Sequence, residues 1–175
     1  MLYSFDGTAP QISEKAYISD SATIIGDVTI EDDCYVGPGA ILRGDEGSIH
    51  IGEGTAVEDG VIIHAGEDGV VCRVGSRVIL GHGALIHGNV NDNAVIGMGA
   101  LVSIGATVGE YAIVGEGAVV KMFQAIEPRM VAVGNPAKIA RPLEERDTII
   151  WDYSKQSYIE LARKCLSGSI TPIVS

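Results

Sequence analysis

Aliphatic residues recur at every sixth position along most of this chain, and small residues follow many of them four positions later. The aliphatic positions are Ile18, Ile24, Ile30, Val36, Leu42, Ile51, Val57, Ile63, Val74, Leu80, Ile86, Val90, Ile96, Val102, Val108, Val114 and Val120. A period of six is neither the helical 3.6 nor simple alternation, but it divides into a strand of about four residues and a turn of about two. The pattern therefore predicts short strands separated by tight turns.

Three such units, about eighteen residues, can close one triangular coil with its aliphatic residues inside, and coils then stack at the strand spacing of about 4.8 Å. The pattern thus predicts an all-β parallel solenoid. An ordinary β-sandwich, with turns every 8 to 12 residues or so, fits a period of six poorly. The 23 glycines and the aromatic content of 5% agree with closely stacked backbones and small core side chains.

The repeat fades after Val120, and the turn sequence Gly134-Asn135-Pro136-Ala137-Lys138 ends it. We expect a solenoid over residues 1–141, a helix over 142–167 that packs on the solenoid, and a tail over 168–175. The helix is predicted to be amphipathic. Its expected apolar positions are Ile149, Ile150, Tyr153, Ile159, Ala162 and Leu166.

The charge balance excludes some classes of function. A formal net charge of -11 argues against binding to nucleic acid, where Lys and Arg neutralise phosphates. The N-terminal segment has no basic and apolar export signal, and no apolar run approaches the ~20 residues that span a bilayer. Three widely spaced cysteines, Cys34, Cys72 and Cys165, favour reduced thiols. We therefore expect a cytoplasmic protein with no membrane or nucleic-acid partner.

Three of the four histidines lie where the repeat is interrupted. With eighteen residues in each coil, His64 and His82 are predicted to share a face one coil apart. His87 then points around a corner, so a site shared between subunits is the natural way to bring the three together. Three imidazoles with an open fourth position are typical of catalytic zinc sites, where the metal lowers the pKa of a bound water to about 7.

Several motifs around these histidines resemble those of the γ-class carbonic anhydrases and their homologues, over residues 10–145 or so. The motifs are Leu42-Arg43-Gly44-Asp45, Glu58-Asp59-Gly60, Ile63-His64, Gly81-His82, Ile86-His87-Gly88, Gly97-Met98-Gly99 and Gly134-Asn135-Pro136-Ala137-Lys138. The resemblance implies a left-handed parallel β-helix of hexapeptide repeats, a homotrimer, and one divalent metal at each subunit interface. It also implies reversible hydration of carbon dioxide to bicarbonate.

By this resemblance, His64 and His87 ligate the metal from one subunit and His82 ligates it from the neighbour. Zinc is the expected metal. Imidazole ligands also accept Fe²⁺, Co²⁺ or Ni²⁺, and availability often decides between them.

Charged residues near the histidines receive roles from the same resemblance. Arg43 is expected to form an ion pair near the interface with Asp45 or Asp59, for which its bidentate geometry is suited. Glu58 stands where the family commonly has Gln, so its carboxylate would orient the water on the metal. Two further acidic residues match positions of acidic residues in the active members, where one serves as proton shuttle: Glu46 and Glu67.

Two other functions fit the same repeat. Hexapeptide-repeat acyltransferases share the fold and the Gly134–Lys138 turn, use one histidine as general base and bind coenzyme A along the solenoid. A non-enzymatic metal-binding or assembly subunit is the third interpretation. Bound metal separates the hydratase from the acyltransferase, and absence of both activities favours the third interpretation.

Overall fold

The computed structural model describes residues 1–66, 69–171 and 173. Strands β1 to β20 span, in chain order, Leu2–Tyr3, Gln11–Ile12, Tyr17–Ile18, Thr23–Ile30, Tyr35–Val36, Ile41–Ile51, Ala56–Val57, Ile62–His64, Val71–Val74, Ile79–Leu80, Leu85–Ile86, Asn89–Val90, Val95–Ile96, Leu101–Val102, Thr107–Val108, Ile113–Val114, Val119–Val120, Ala125–Ile126, Met130–Val133 and Lys138–Pro142. Helix α1 spans Glu145–Lys164 and continues into a π-helical turn, Cys165–Ser169.

Strands of successive coils pair in parallel and build three faces. The histidine face contains β8, β11, β14 and β17, and the open face contains β9, β12, β15 and β18. The long strands β4 and β6 run around the corner between these two faces and pair along both. The helix face stacks β3, β5, β7, β10, β13, β16 and β19, and β20 closes it as an antiparallel strand. The predicted parallel solenoid with a C-terminal helix is confirmed.

The six-residue period arises because each strand sends one aliphatic side chain into the interior. Ile63, Ile86 and Val102 are in register on neighbouring coils, and all three are fully buried. The small residues at the intervening corners, such as Ala84 and Ala100, are also fully buried. Larger side chains at these corners would push the coils apart, because protein interiors are close-packed.

Helix α1 covers the outer side of the helix face. Ala56, Ile79, Val95, Ile113 and Val131 point outward from these strands and are buried, with Leu143, Trp151 and Tyr158 packed against them. This second apolar layer fixes the helix on the solenoid.

The buried positions of α1 are Lys155, Ile159 and Ala162. Four positions of the expected apolar face are instead exposed, so that part of the prediction is wrong: Ile149, Ile150, Tyr153 and Leu166. The helix packs through a different face, which contains Trp151 and Tyr158 and the buried Lys155. The Lys155 ammonium group donates to the carbonyl oxygen of Asn93 at 2.8 Å and lies 3.2 Å from an Asp152 carboxylate oxygen.

Within the described residues, no helix is long and apolar enough to cross a membrane. The cytoplasmic location stays a prediction.

Candidate metal centre

His64 and His87 lie side by side on the histidine face. Strand β8 pairs with β11 so that Ile63 is opposite Ile86, and each histidine follows directly. The two ring centroids are 5.2 Å apart, with the ring planes at 86°. The prediction that His64 shares a face with His82 is therefore wrong. The interruption before Val74 lengthens this coil from eighteen to twenty-three residues, so His87 completes it.

A short charged network surrounds His64. Arg43 is in register with His64; one of its terminal nitrogens donates to an Asp45 carboxylate oxygen at 2.7 Å, and the other lies 3.3 Å from His64 Nδ1. Burial acts to raise the pKa of Asp45, but the hydrogen bond and the charge of Arg43, a backbone hydrogen bond and the nearby His64 together outweigh burial and hold that pKa below its usual range. His64 Nε2 and Asp45 Oδ1 are 3.5 Å apart. Both atoms are buried, and neither has a hydrogen-bond partner among the described residues.

His87 also holds a buried nitrogen without a partner. Its Nδ1 makes no hydrogen bond within the described part of the chain. Burial lowers the pKa of His87, and the neighbouring His64 and Arg43 lower it further, so the neutral ring with a free lone pair is favoured. The ring lines a pocket of about 200 Å³ with the apolar side chains of Val70, Ile104 and Phe123.

His82 lies at a different corner of the solenoid, after strand β10 of the helix face. Its side chain is 46% exposed. Glu58, which directly follows strand β7 one coil earlier, accepts a hydrogen bond from the His82 backbone N–H at 3.1 Å. The same Glu58 oxygen is 3.1 Å from His82 Nε2, and an Asp59 oxygen is 3.6 Å from Nδ1. Glu58 itself is buried, with a side chain only 8% exposed.

The other described residues that the sequence analysis proposed for the site lie near Asp45, on the side of the His64–His87 pair, or near His82. Within one chain, Arg43 contacts Asp45, whereas Asp59 contacts His82. Glu46 is exposed and lines a cavity of about 310 Å³ that also holds the Asp45 carboxylate. Glu67 lies outside the described residues. The roles given to these residues by the resemblance stay predictions.

The described part of one chain does not assemble three metal ligands by itself. Over residues 1–66, 69–171 and 173, no group of three or more His, Cys, Asp or Glu side chains is arranged to hold a metal ion. Two histidines stand together on one face and the third stands at another corner. A three-histidine centre therefore needs His82 from a second copy of the chain.

The C-terminal helix reaches this region, which the sequence patterns did not indicate. A cleft of about 240 Å³ between α1 and the solenoid is lined by Glu58 and His82 from the coils and by Trp151 and Tyr158 from the helix. One feature of the sequence could have indicated this cleft: Trp151 and Tyr158 lie on the predicted helix, in a chain that is otherwise poor in aromatic residues.

Comparisons with known proteins give relatives that cover almost the whole chain. No family model matches. Gamma carbonic anhydrase 2, mitochondrial, of Arabidopsis thaliana is 35% identical over 161 residues, which are 89% of this chain but only 58% of that protein, so the chain spans less than two thirds of it. The carnitine operon protein CaiE of Citrobacter koseri is 39% identical over 166 residues, 93% of this chain and 83% of that protein.

A solved structure has the same fold over almost the whole chain. The hexapeptide transferase family protein from Anaplasma phagocytophilum superposes with a TM-score of 0.88 at 30% identity, over 93% of this chain and 96% of that one. The repeat, the paired histidines and the relatives lead to one assignment. This chain belongs to the γ-class carbonic anhydrase-like family of hexapeptide-repeat proteins.

Proposed function

We propose that this protein binds a divalent metal between subunits and catalyses the reversible hydration of carbon dioxide. The observation that carries the proposal is the His64–His87 pair: two imidazoles 5.2 Å apart, each with a buried nitrogen that has no hydrogen-bond partner in the described chain. Buried polar atoms without partners are costly and uncommon in native proteins. A metal that accepts their lone pairs would satisfy them.

The donor set suits the metal that the family implies. His64 and His87 would hold it from one subunit, and His82 of a second subunit would complete three imidazole ligands. Zinc is the expected ion, and Fe²⁺, Co²⁺ or Ni²⁺ would suit the same ligands. A homotrimer gives every chain both interfaces that this arrangement needs.

When bound, the metal supplies Lewis-acid activation of water at neutral pH. The chain's own groups would organise the reactants around it. The apolar pocket beside His87 offers Val70, Ile104 and Phe123 to a small apolar molecule such as carbon dioxide. Glu58 would orient the attacking water by hydrogen bonding. Exposed Glu46 would pass the released proton to solvent, because its carboxylate lines an open cavity beside Asp45.

The test compares two histidine variants after anaerobic purification, with metal quantification and stopped-flow hydration of carbon dioxide. His87→Ala should lose the metal and the hydration activity. His50→Ala is the matched control, since His50 lies on the open face and contacts Glu31 at 3.0 Å. It should keep about one metal per chain. A wild-type protein that holds no metal would overturn the proposal.

An acyltransferase is the second candidate, and the Anaplasma hexapeptide transferase family structure favours it. In that case one exposed histidine, His82 beside Glu58, would act as general base for transfer from coenzyme A. Calorimetric titration with acetyl coenzyme A separates the two functions. Saturable binding by metal-free protein supports acyl transfer, whereas bound metal without such binding supports hydration.

A further inference from the structure

Two corners border the histidine face, and each carries a row of residues with one member from each coil. At the first corner, strands β8, β11, β14 and β17 are in register, so the residues that follow their buried aliphatic side chains are aligned too. Because side chains alternate along a strand, these residues point outward. We call this row the pair corner: His64, His87, Ser103 and Lys121.

The second corner is the series of turns that contains His82. Backbone hydrogen bonds of 2.9 Å join each turn to the next, because the carbonyl oxygens of Asp59, His82 and Met98 each accept from a glycine N–H one coil later. Glu116 directly precedes the last of these glycines and so continues the row. We call this row the His82 corner.

The two corners lie at the same height in each coil. His82 and His87 belong to one coil and stand at opposite ends of strand β11. A rotation about an axis along the solenoid therefore brings His82 of one copy to His87 of the next without a change of height. Every other coil of the two copies is then matched in height as well, because each subunit of a cyclic trimer rotates as a rigid body.

Apolar residues face each other one coil after these histidines. Met98 comes one coil after His82, and Ile104 follows directly on Ser103, one coil after His87. Their side chains are 54% and 43% exposed in the single chain. Ile104 and His87 line the same apolar pocket of about 200 Å³. A methionine from a second copy suits this position, since its unbranched side chain fills irregular apolar gaps.

Opposite charges face each other one coil further on. Glu116 comes one coil after Met98, and Lys121 comes one coil after Ser103. Both residues are exposed. Acidic residues outnumber basic ones by 23 to 12 in this chain, so two acids would be the more frequent meeting if the rows were unrelated.

We infer that the two corners meet coil by coil in the trimer, so that the partner's Met98 closes the apolar pocket beside His87 and the partner's Glu116 pairs with Lys121. The inference rests on the proposed metal centre, because that centre sets the height at which two copies meet. It makes the carbon dioxide pocket a site of two subunits, with one apolar wall that a single chain does not supply.

A disulfide between the two apolar positions tests the first contact. In a Met98→Cys/Ile104→Cys variant, the new cysteines of one chain stand at opposite ends of strand β14, too far apart to be joined, so any bond must link two chains. Oxidation with diamide should give covalent trimers on a denaturing gel. Cys165→Ser in every variant removes the native thiol that is not buried. Met98→Cys/Arg73→Cys is the matched control and should give no such trimers, because Arg73 is an exposed residue of the open face.

An exchange of charges tests the second contact and leaves the pocket unaltered. Lys121→Glu sets two carboxylates against each other at every interface, so the concentration at which trimers dissociate should rise at least about 10-fold in analytical ultracentrifugation. Adding Glu116→Lys to this variant should restore assembly. Arg73→Glu makes the same charge reversal on the open face and should assemble like the wild type.

Both measurements are made with and without a chelator, which separates this inference from the proposed function. A wild type that holds no metal would defeat the metal centre, and covalent trimers of the chelated double-cysteine variant would still support the matched corners. Bound zinc together with no cross-link and no rescue by charge exchange would overturn the inference. Covalent trimers formed equally well by the Arg73→Cys control would overturn it too.

Discussion

A ladder of apolar side chains on the histidine face offers the sharpest test of assembly. Ile41, Ile62 and Leu85 are in register on three successive coils and are 37%, 36% and 36% exposed. Side chains two apart on a strand point the same way, so Leu85 faces outward beside His87. If this face meets another subunit, Leu85→Glu should prevent the trimer from forming.

The magnitude follows from comparing two effects. Full burial of a leucine stabilises by roughly 1.5–3 kcal/mol, so covering the third of Leu85 still exposed contributes about 0.5–1 kcal/mol per interface. An unpaired carboxylate taken out of water costs several kcal/mol. The charge penalty is the larger effect and applies at each of the interfaces of a cyclic trimer. Leu85→Glu should therefore weaken assembly far more than Leu85→Ala.

Size-exclusion chromatography with light scattering measures the outcome, and circular dichroism checks the fold of each variant. Val71→Glu is the matched control, because Val71 is also an exposed strand residue but lies on the open face. It should remain trimeric, while Leu85→Glu should elute as a folded monomer. A trimeric Leu85→Glu variant would refute the placement of the interface on the histidine face.

Three further predictions concern stability. The hydrogen bond from Arg141 lowers the pKa of Asp147 to about 2, so its stabilisation is present above the usual value near 3.8 and is lost as pH falls toward 2. Asp147→Asn should therefore lower the free energy of unfolding by about 1 kcal/mol at pH 7, after screening by solvent, and by almost nothing near pH 2. Urea denaturation at each pH measures this difference, and an equal loss at both pH values would contradict the prediction. Lys155→Ala should cost roughly 1–3 kcal/mol of stability in thermal unfolding, because the partly buried Asn93 carbonyl loses its hydrogen-bond donor. An unchanged unfolding midpoint would refute this prediction. Gly88→Ala should lower the free energy of unfolding in urea by about 2 kcal/mol, since a Cβ there would lie 2.4 Å from a backbone carbonyl oxygen. Wild-type stability of this variant would contradict the prediction and show that the coils adapt.

The repeat made the fold predictable because one physical rule applies to every coil. The buried ladder through Ile63 and Ile86 is the six-residue pattern itself. The position of His82 relative to His64 could not be read in the same way. It depends on five extra residues in one coil, and periodicity does not say which strand an interruption displaces.

The residues around the candidate site could be predicted even less well from the sequence. Hydropathy treats Glu58 and Lys155 as surface residues, yet both are buried and satisfied by partners far away in the chain. Their burial depends on the docking of α1, a long-range contact without a local sequence signal. The cleft that Glu58 lines together with α1 forms only once the coils are stacked.

The most direct test of the shared metal centre is to co-express two inactive chains, His64→Ala and His82→Ala, with different tags and to measure zinc in the purified hybrid assemblies. Each variant alone should hold no metal. In a cyclic trimer each hybrid regains one intact site of three, so the purified hybrids should hold about a third of the wild-type zinc. Random assortment makes about three quarters of the trimers hybrid, so the unfractionated mixture should hold about a quarter. Hybrids without zinc, or zinc retained by His82→Ala alone, would contradict a centre built from two subunits.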